Sequence, residues 1–166
     1  MNSPTLTWEA ICADRSLRDL PYKIETNRYN KIIMSPATSW HSAQGGEIGR
    51  ILSSLMPHGR MLVECPVHTS DGVRVPDVAW ISKERFKPRR TGAMAVAPEI
   101  CVEVLSPSNG REEMLEKMSL FYAVGASEVW LCDEDGNMEF FTSGSARQPV
   151  PQSIMCPNFP KKIVID

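Results

Sequence analysis

The sequence predicts an α/β domain: a mixed β-sheet with helices on both faces. Three observations carry this. A nearly all-apolar run at 99–105 is followed by an amphipathic stretch at 110–124 and then by an apolar run at 128–132. That is the pattern of two parallel strands joined by a crossover helix. Upstream, short β-prone runs come in pairs separated by turn residues, as in hairpins. The 166 residues are 42% apolar and 23% charged, which suits one soluble domain, 1–166, with a real core.

Each element has a local reason. Residues 7–20 read as a short N-terminal helix carrying Trp8, Ile11, Leu17 and Leu20, so 1–21 forms a helical extension. Runs 22–26 and 31–35 read as strands of a hairpin turning at 27–30. Thr38 or Ser39 can cap a helix that runs to about Leu55 and stops before Pro57. Its apolar positions are Trp40, Ile48, Ile51, Leu52 and Leu55, while Gly45 and Gly46 each weaken it by about 1 kcal/mol relative to alanine. Runs 61–68 and 73–81 form the next pair, with Asp71-Gly72 as the turn signal. The 99–105 run reads as a central strand covered on both faces. Asn109 can cap the following helix, with Glu112 completing a capping box and Gly125 in the left-handed C-terminal position. After the strand at 128–132, a turn at 133–136 leads to an antiparallel strand at 138–142, and 161–165 reads as a last edge strand.

Composition narrows the function classes. No apolar run is long enough to span a bilayer, and the first nine residues lack the basic and apolar regions of a signal peptide, so a cytoplasmic protein is expected. The five cysteines (Cys12, Cys65, Cys101, Cys132, Cys156) are scattered and form no Cys-x-x-Cys pair, which argues against zinc ribbons and disulfide frameworks. Cys101 and Cys132 lie in apolar runs and read as small core residues. Net charge is -2, so any phosphate-binding surface must be local. Lys83, Arg85, Lys87, Arg89 and Arg90, with only Glu84 opposing them, make one candidate for nucleic-acid contact; a solvated loop explains the same residues.

Charged residues stand where apolar ones belong. Asp77 interrupts the Val73, Val75, Ala79, Ile81 face of its run, and Pro76 before it removes a backbone donor, suggesting an edge or a break in the ladder. Glu103 has apolar neighbours on both faces of its strand. Glutamate is rarely fully buried unless paired. On a helical wheel Lys117 falls between Val124 and Phe121, inside the apolar arc. Snorkelling to water is the alternative reading of Lys117. Two carboxylates can hold Mg2+ or a similar hard cation, which activates water and polarises a phosphoryl oxygen, while a lysine adds positive charge. Glu47, at the rim of its helix's apolar stripe, could complete the shell; a solvated rim glutamate is the plainer reading. The grouping points to metal-assisted phosphodiester hydrolysis.

These residues form a pattern. Pro76-Asp77, then Glu103 within Glu-Val-Leu-Ser-Pro-Ser, then Glu116-Lys117 and Tyr122, then Val129-Trp130-Leu131-Cys132-Asp133, resemble the bacterial "putative restriction endonuclease" family of the PD-(D/E)XK nuclease superfamily. The likeness runs from about Glu25 to the end and includes Ile33-Met34-Ser35-Pro36. It implies a restriction-endonuclease-like fold and an Mg2+- or Mn2+-dependent endonuclease acting on DNA. It implies Asp77 and Glu103 as metal ligands with the Val104 carbonyl contributing, Glu47 as a supporting acid, and homodimers by analogy. One position departs: Leu105 stands where the motif lysine falls, two residues after the acid. Some superfamily members carry that lysine on the following helix, where Lys117 lies. The alternative is a nucleic-acid-binding or protein-interaction module with a degenerate site, in which Lys117 simply pairs with Glu103 and no metal binds. Acyl chemistry at Ser106 or Ser145 has little support, for there is no Gly-x-Ser-x-Gly elbow.

Overall fold

A computed structural model describes residues 6–166. Residues 1–5, part of the stretch read above as lacking a signal sequence and of the helical extension, lie outside the described residues. In chain order the elements are α1 (Trp8–Ala13), β1 (Tyr22–Thr26), β2 (Ile32–Pro36), α2 (Ser39–Leu55), β3 (Gly59–Val63), β4 (Val67–Thr69), β5 (Gly72–Arg74), β6 (Val78–Ser82), β7 (Ile100–Val104), α3 (Arg111–Ala123), β8 (Glu128–Cys132), β9 (Met138–Thr142) and β10 (Ser145–Val150).

The main sheet has six strands in the order β10-β9-β8-β7-β6-β3. Only β7 and β8 are parallel, with Val102 beside Trp130 and Glu103 beside Leu131, and α3 makes the crossover between them. Both strands are buried along their whole length, as their apolar runs require. α2 lays Ile48 and Leu52 on one face, against Val78, Trp80, Val102 and Trp130. α3 lays Met114, Met118 and Phe121 on the other, against Cys101, Val129 and Leu131. Strand alternation therefore sends Glu103, which shares a face with Cys101, toward α3. Cys101 and Cys132 are buried free thiols in these two layers.

The structure corrects several boundaries. The runs 61–68 and 73–81 are not two long strands. Glu64-Cys65-Pro66 and Val75-Pro76-Asp77 break them, because proline has no N–H for the ladder. β3 and β6 stay in the main sheet, while β4 and β5 form a separate hairpin around Gly72, whose φ is +84°. The break after Pro76 is what frees Asp77 from strand pairing. The first helix stops at Ala13, where Asp14 turns to accept hydrogen bonds from Ser16. Trp40 is not on the buried stripe of α2; it is 48% exposed and donates Nε1–H to the Glu134 carbonyl, and Gln44 is buried in its stead. Asn109 does not cap α3. Its side chain accepts from the Ser106 N–H and hydroxyl, so Gly110 becomes the cap, with Glu113 rather than Glu112 reaching back to it. Gly125 does adopt positive φ, +109°, at the helix end. The 161–165 segment makes only an isolated bridge through Lys162 to Asn137. β9 is already paired on both sides, by β8 and by the unforeseen β10, so no strand edge remains there.

Candidate active site

The two carboxylates singled out from sequence meet. Asp77 lies just before β6 and Glu103 near the end of β7, antiparallel neighbours with Val78 beside Val102. Both carboxylates face one ammonium, Lys23 Nζ, at 2.9 Å from Asp77 Oδ1 and 3.6 Å from Glu103 Oε2. Lys117 Nζ is 2.8 Å from Glu103 Oε1. All three lie in the wall of one cavity of about 390 Å3. Each of Asp77, Glu103 and Lys117 is less than 10% exposed.

Sequence reasoning missed three members. β1 turns Lys23 and Glu25, two residues apart, to the same side. Glu25 Oε1 lies 2.7 Å from Lys117 Nζ and accepts from the Val75 N–H at 2.7 Å, and Arg74 lies 3.7 Å from Oε2. Lys117 is thus held between two buried carboxylates. His41, in the first turn of α2, has Nε2 3.3 Å from Asp77 Oδ2. The Thr38 hydroxyl caps that turn by accepting from the His41 N–H, which fixes where the ring begins. The Val104 N–H donates to Asp77 Oδ2 at 2.8 Å. A charged alternation on a hairpin strand ordinarily marks a solvent face, and a single histidine has no spacing signal, so none of the three was visible in the sequence.

The protonation states follow from these contacts. Burial opposes ionisation of Asp77, but the His41 hydrogen bond, the Lys23 charge and the Val104 N–H hold its carboxyl far below the usual range. Burial pushes Glu103 up; Lys117 and Lys23 pull against it, while Asp77 and Glu25 add to the rise. The difference has a structural cause: Asp77 accepts two directed bonds, from Lys23 and the Val104 N–H, with His41 Nε2 close by, whereas Glu103 Oε1 lies near Lys117 without hydrogen-bond geometry. Glu25 is buried too, yet Lys117 and Lys23 hold it below its ordinary value. Burial would lower Lys23, but Glu103, Asp77 and Glu25 raise it, so it stays charged. The hydrogen bond to Asp77 raises His41, against burial and the Lys23 charge.

Other expected site residues lie elsewhere. Glu47 is on α2, which covers the opposite face of the sheet from α3, and its carboxylate is held by Arg50 at 2.6 and 2.9 Å. It is not in the wall of the cavity. The helix instead contributes His41. The basic segment leaves β6 at the end remote from Asp77, roughly 17 Å along the strand. Arg85 turns inward, donating to the Ala97 and Gly125 carbonyls beside Glu99, so its guanidinium clamps loops together. Lys83, Lys87, Arg89 and Arg90 are exposed.

A hard cation suits the donor set. Asp77 and Glu103 offer carboxylate oxygens, Val104 a main-chain carbonyl beside them, and Glu103 Oε1 is a buried oxygen with no hydrogen bond. Among the described residues no three His, Cys, Asp or Glu side chains stand pre-arranged as ligands, because Lys23 and Lys117 separate the carboxylates.

A mixed sheet with a helix on each face, and acids at the ends of adjacent central strands beside a helix-borne lysine, define a restriction-endonuclease-like protein. The chain belongs to the Uma2 family, described as "putative restriction endonuclease", whose model matches residues 16–161. Its fold is similar to that of a crystal structure described as "a putative nuclease belonging to DUF820" from Anabaena variabilis, with a TM-score of 0.58 and 23% identity over 81% of this chain and 87% of that one. No curated protein matches the chain significantly.

Proposed function

We propose that the protein is a metal-dependent endonuclease that hydrolyses phosphodiester bonds of DNA. One observation carries the reading: Asp77 and Glu103, from separate strands, converge on a single enclosed point with Lys117 beside them. Asp77, Glu103 and the Val104 carbonyl would hold Mg2+ or Mn2+. Such an ion, when bound, lowers the pKa of water and polarises a phosphoryl oxygen. The chain's own residues do the rest. His41 and the Val104 N–H fix the Asp77 carboxylate in one orientation. Glu25 positions Lys117, whose ammonium orients the attacking water and offsets charge on the phosphorane-like transition state. Lys23 supplies a second cation for the scissile phosphate. Lys83, Lys87 and Arg89, exposed on the segment that follows β6, suit backbone contacts farther along a duplex.

The test is nicking of supercoiled plasmid with Mg2+ or Mn2+ by wild type and Asp77→Asn. Cleavage in the wild type and none in the variant, with unchanged circular dichroism, is expected. Equal activity in the variant removes Asp77 from the site.

One observation favours a second reading. Lys23 and Lys117 already neutralise both acids, as a degenerate binding module would require. Calorimetric titration with Mn2+ separates the two. Saturable binding lost in Asp77→Asn supports the nuclease; absence of binding in the wild type supports the module.

A further inference from the structure

A second cavity, of about 630 Å3, adjoins the first, within the usual size of small-ligand sites. Lys23 and Glu64 are in the walls of both. β1 is the partition. Its alternation sends Lys23 and Glu25 toward the acids and places Tyr22 and Ile24 in the second cavity. Glu64, at the junction, holds a left-handed backbone with φ +48°, and its N–H donates to the Asp77 carbonyl. Non-glycine residues in that region concentrate at ligand clamps and active sites.

We propose that this second cavity is a subsite for the base of an unpaired nucleotide next to the scissile phosphate. The inference rests on the nuclease reading and names where its substrate strand goes. The walls offer two aromatic rings, Trp8 and the 42% exposed Tyr22. Stacking on such rings suits every base, because each has a π-face. The charges balance: Arg18, Lys23 and Arg90 against Glu9, Asp14 and Glu64. A pocket for phosphate alone would carry an excess of cations. Balanced donors and acceptors fit a neutral heterocycle with amino and carbonyl edges, which guanidinium and carboxylate groups read in pairs. A base can enter only by leaving its duplex stack, so the strand at this point is single or locally opened.

The experiment uses the full chain with single-stranded oligonucleotides carrying 2-aminopurine at each position around the cleaved bond. Ca2+ replaces Mg2+ for binding. Wild type should change the fluorophore's emission at one flanking position. Tyr22→Ala and Arg90→Ala should abolish that change and weaken binding about 5- to 150-fold, the span one stacked base contributes. Trp8 packs on Val73, Val75 and Ala93, so its removal could unfold the region; the two exposed positions keep the test clear of that. Hydrolysis of bis(p-nitrophenyl) phosphate, which has no flanking nucleotide, is read in the wild type, and both variants should keep the wild-type melting temperature. Wild-type affinity and emission in both variants overturn the subsite. Equal losses with fully paired duplex and single strand overturn the requirement for an unpaired base. Failure of the wild type to hydrolyse either substrate overturns the nuclease reading, and the binding measurement then still decides the subsite by itself.

Discussion

Lys117→Met probes the site most sharply. The ammonium lies 2.7 Å from Glu25 and 2.8 Å from Glu103, and neither carboxylate side chain is more than 5% exposed. At an effective dielectric of 20, each contact is about 6 kcal/mol of attraction before desolvation is subtracted. Removing one partner of a buried pair leaves a net cost of about 3–5 kcal/mol, because a charge stays buried without compensation. Methionine keeps the packing against α3's neighbours, so the loss is electrostatic. The variant has one escape, which is to protonate Glu103, already the carboxyl that burial pushes up.

That escape sets the pH dependence. A carboxyl whose folded pKa is raised binds its proton more readily in the folded state than in the unfolded state. Its contribution is therefore present at low pH and lost as pH rises through the folded value. The slope is about 1.4 kcal/mol per pH unit for one proton in the range between the unfolded and folded values, so the variant's deficit should shrink on descent from about pH 7.5 to about pH 5.5. Urea denaturation followed by tryptophan fluorescence reads this, since Trp80 and Trp130 are buried in the core. Adding Glu103→Gln to Lys117→Met should restore most of the stability and flatten the pH dependence. A deficit that is the same at both pH values, or a double variant no better than the single, refutes the electrostatic account.

Other outcomes follow from the same geometry. His41 carries a raised pKa, so its contribution is full below the ordinary imidazole value of 6.5 and fades as pH climbs through the folded value. In metal-free buffer, wild type should lose stability over that climb and His41→Ala should lack the slope; parallel curves would dissociate His41 from Asp77. Glu47→Gln should leave cleavage rate and Mn2+ affinity at wild-type levels, since Glu47 pairs with Arg50 on the far face; a tenfold loss in either would restore it to the site. Gly136 has φ +84°, and a Cβ there would meet the Ile163 carbonyl, whose N–H bonds back to Gly136. Gly136→Ala should destabilise by about 1–2 kcal/mol from the backbone conformation alone, with the clash in addition, and an unchanged melting temperature would contradict that.

The core of this fold is legible because burial leaves a periodic trace. Residues 100–104 and 128–132 read as central strands since almost nothing in them can face water, and α3 between them fixes their parallel direction. Asp77, Glu103 and Lys117 stood out for the same reason: each is an ion in a place the pattern reserves for apolar groups. Lys23, Glu25 and His41 left no such trace. They lie on a hairpin and a helix start outside the main sheet, where charge is ordinary. What makes them part of the site is which surface that hairpin covers, and this is a property of tertiary packing. The strand ends erred where proline intervened, since apolar alternation continues through Pro66 and Pro76 although the hydrogen-bond ladder cannot. Glu47 lies near the stripe of its helix, and a stripe does not say which of the helix's turns will reach the acids: His41 does, while Glu47 pairs with Arg50.

The missed residues also explain how so many charges can be buried together. Glu25, Asp77 and Glu103 face Lys23, Arg74 and Lys117, three anions against three cations, and each carboxylate touches at least one ammonium or guanidinium. Desolvating an isolated ion costs several kcal/mol, so two acids alone at the ends of β6 and β7 would either protonate or repel. Lys23 opposes both by standing between Asp77 and Glu103, though burial still pushes Glu103 up, and Glu25 shares Lys117 with Glu103. The site is therefore assembled with its own side chains, each acid already facing a cation. A divalent ion entering it must compete with two ammonium groups for the same oxygens, and each ammonium it releases is a free cation at the position where a phosphate would dock. If the site is the nuclease centre proposed above, the hairpin that carries Lys23 belongs to it as much as the segments that carry the acids.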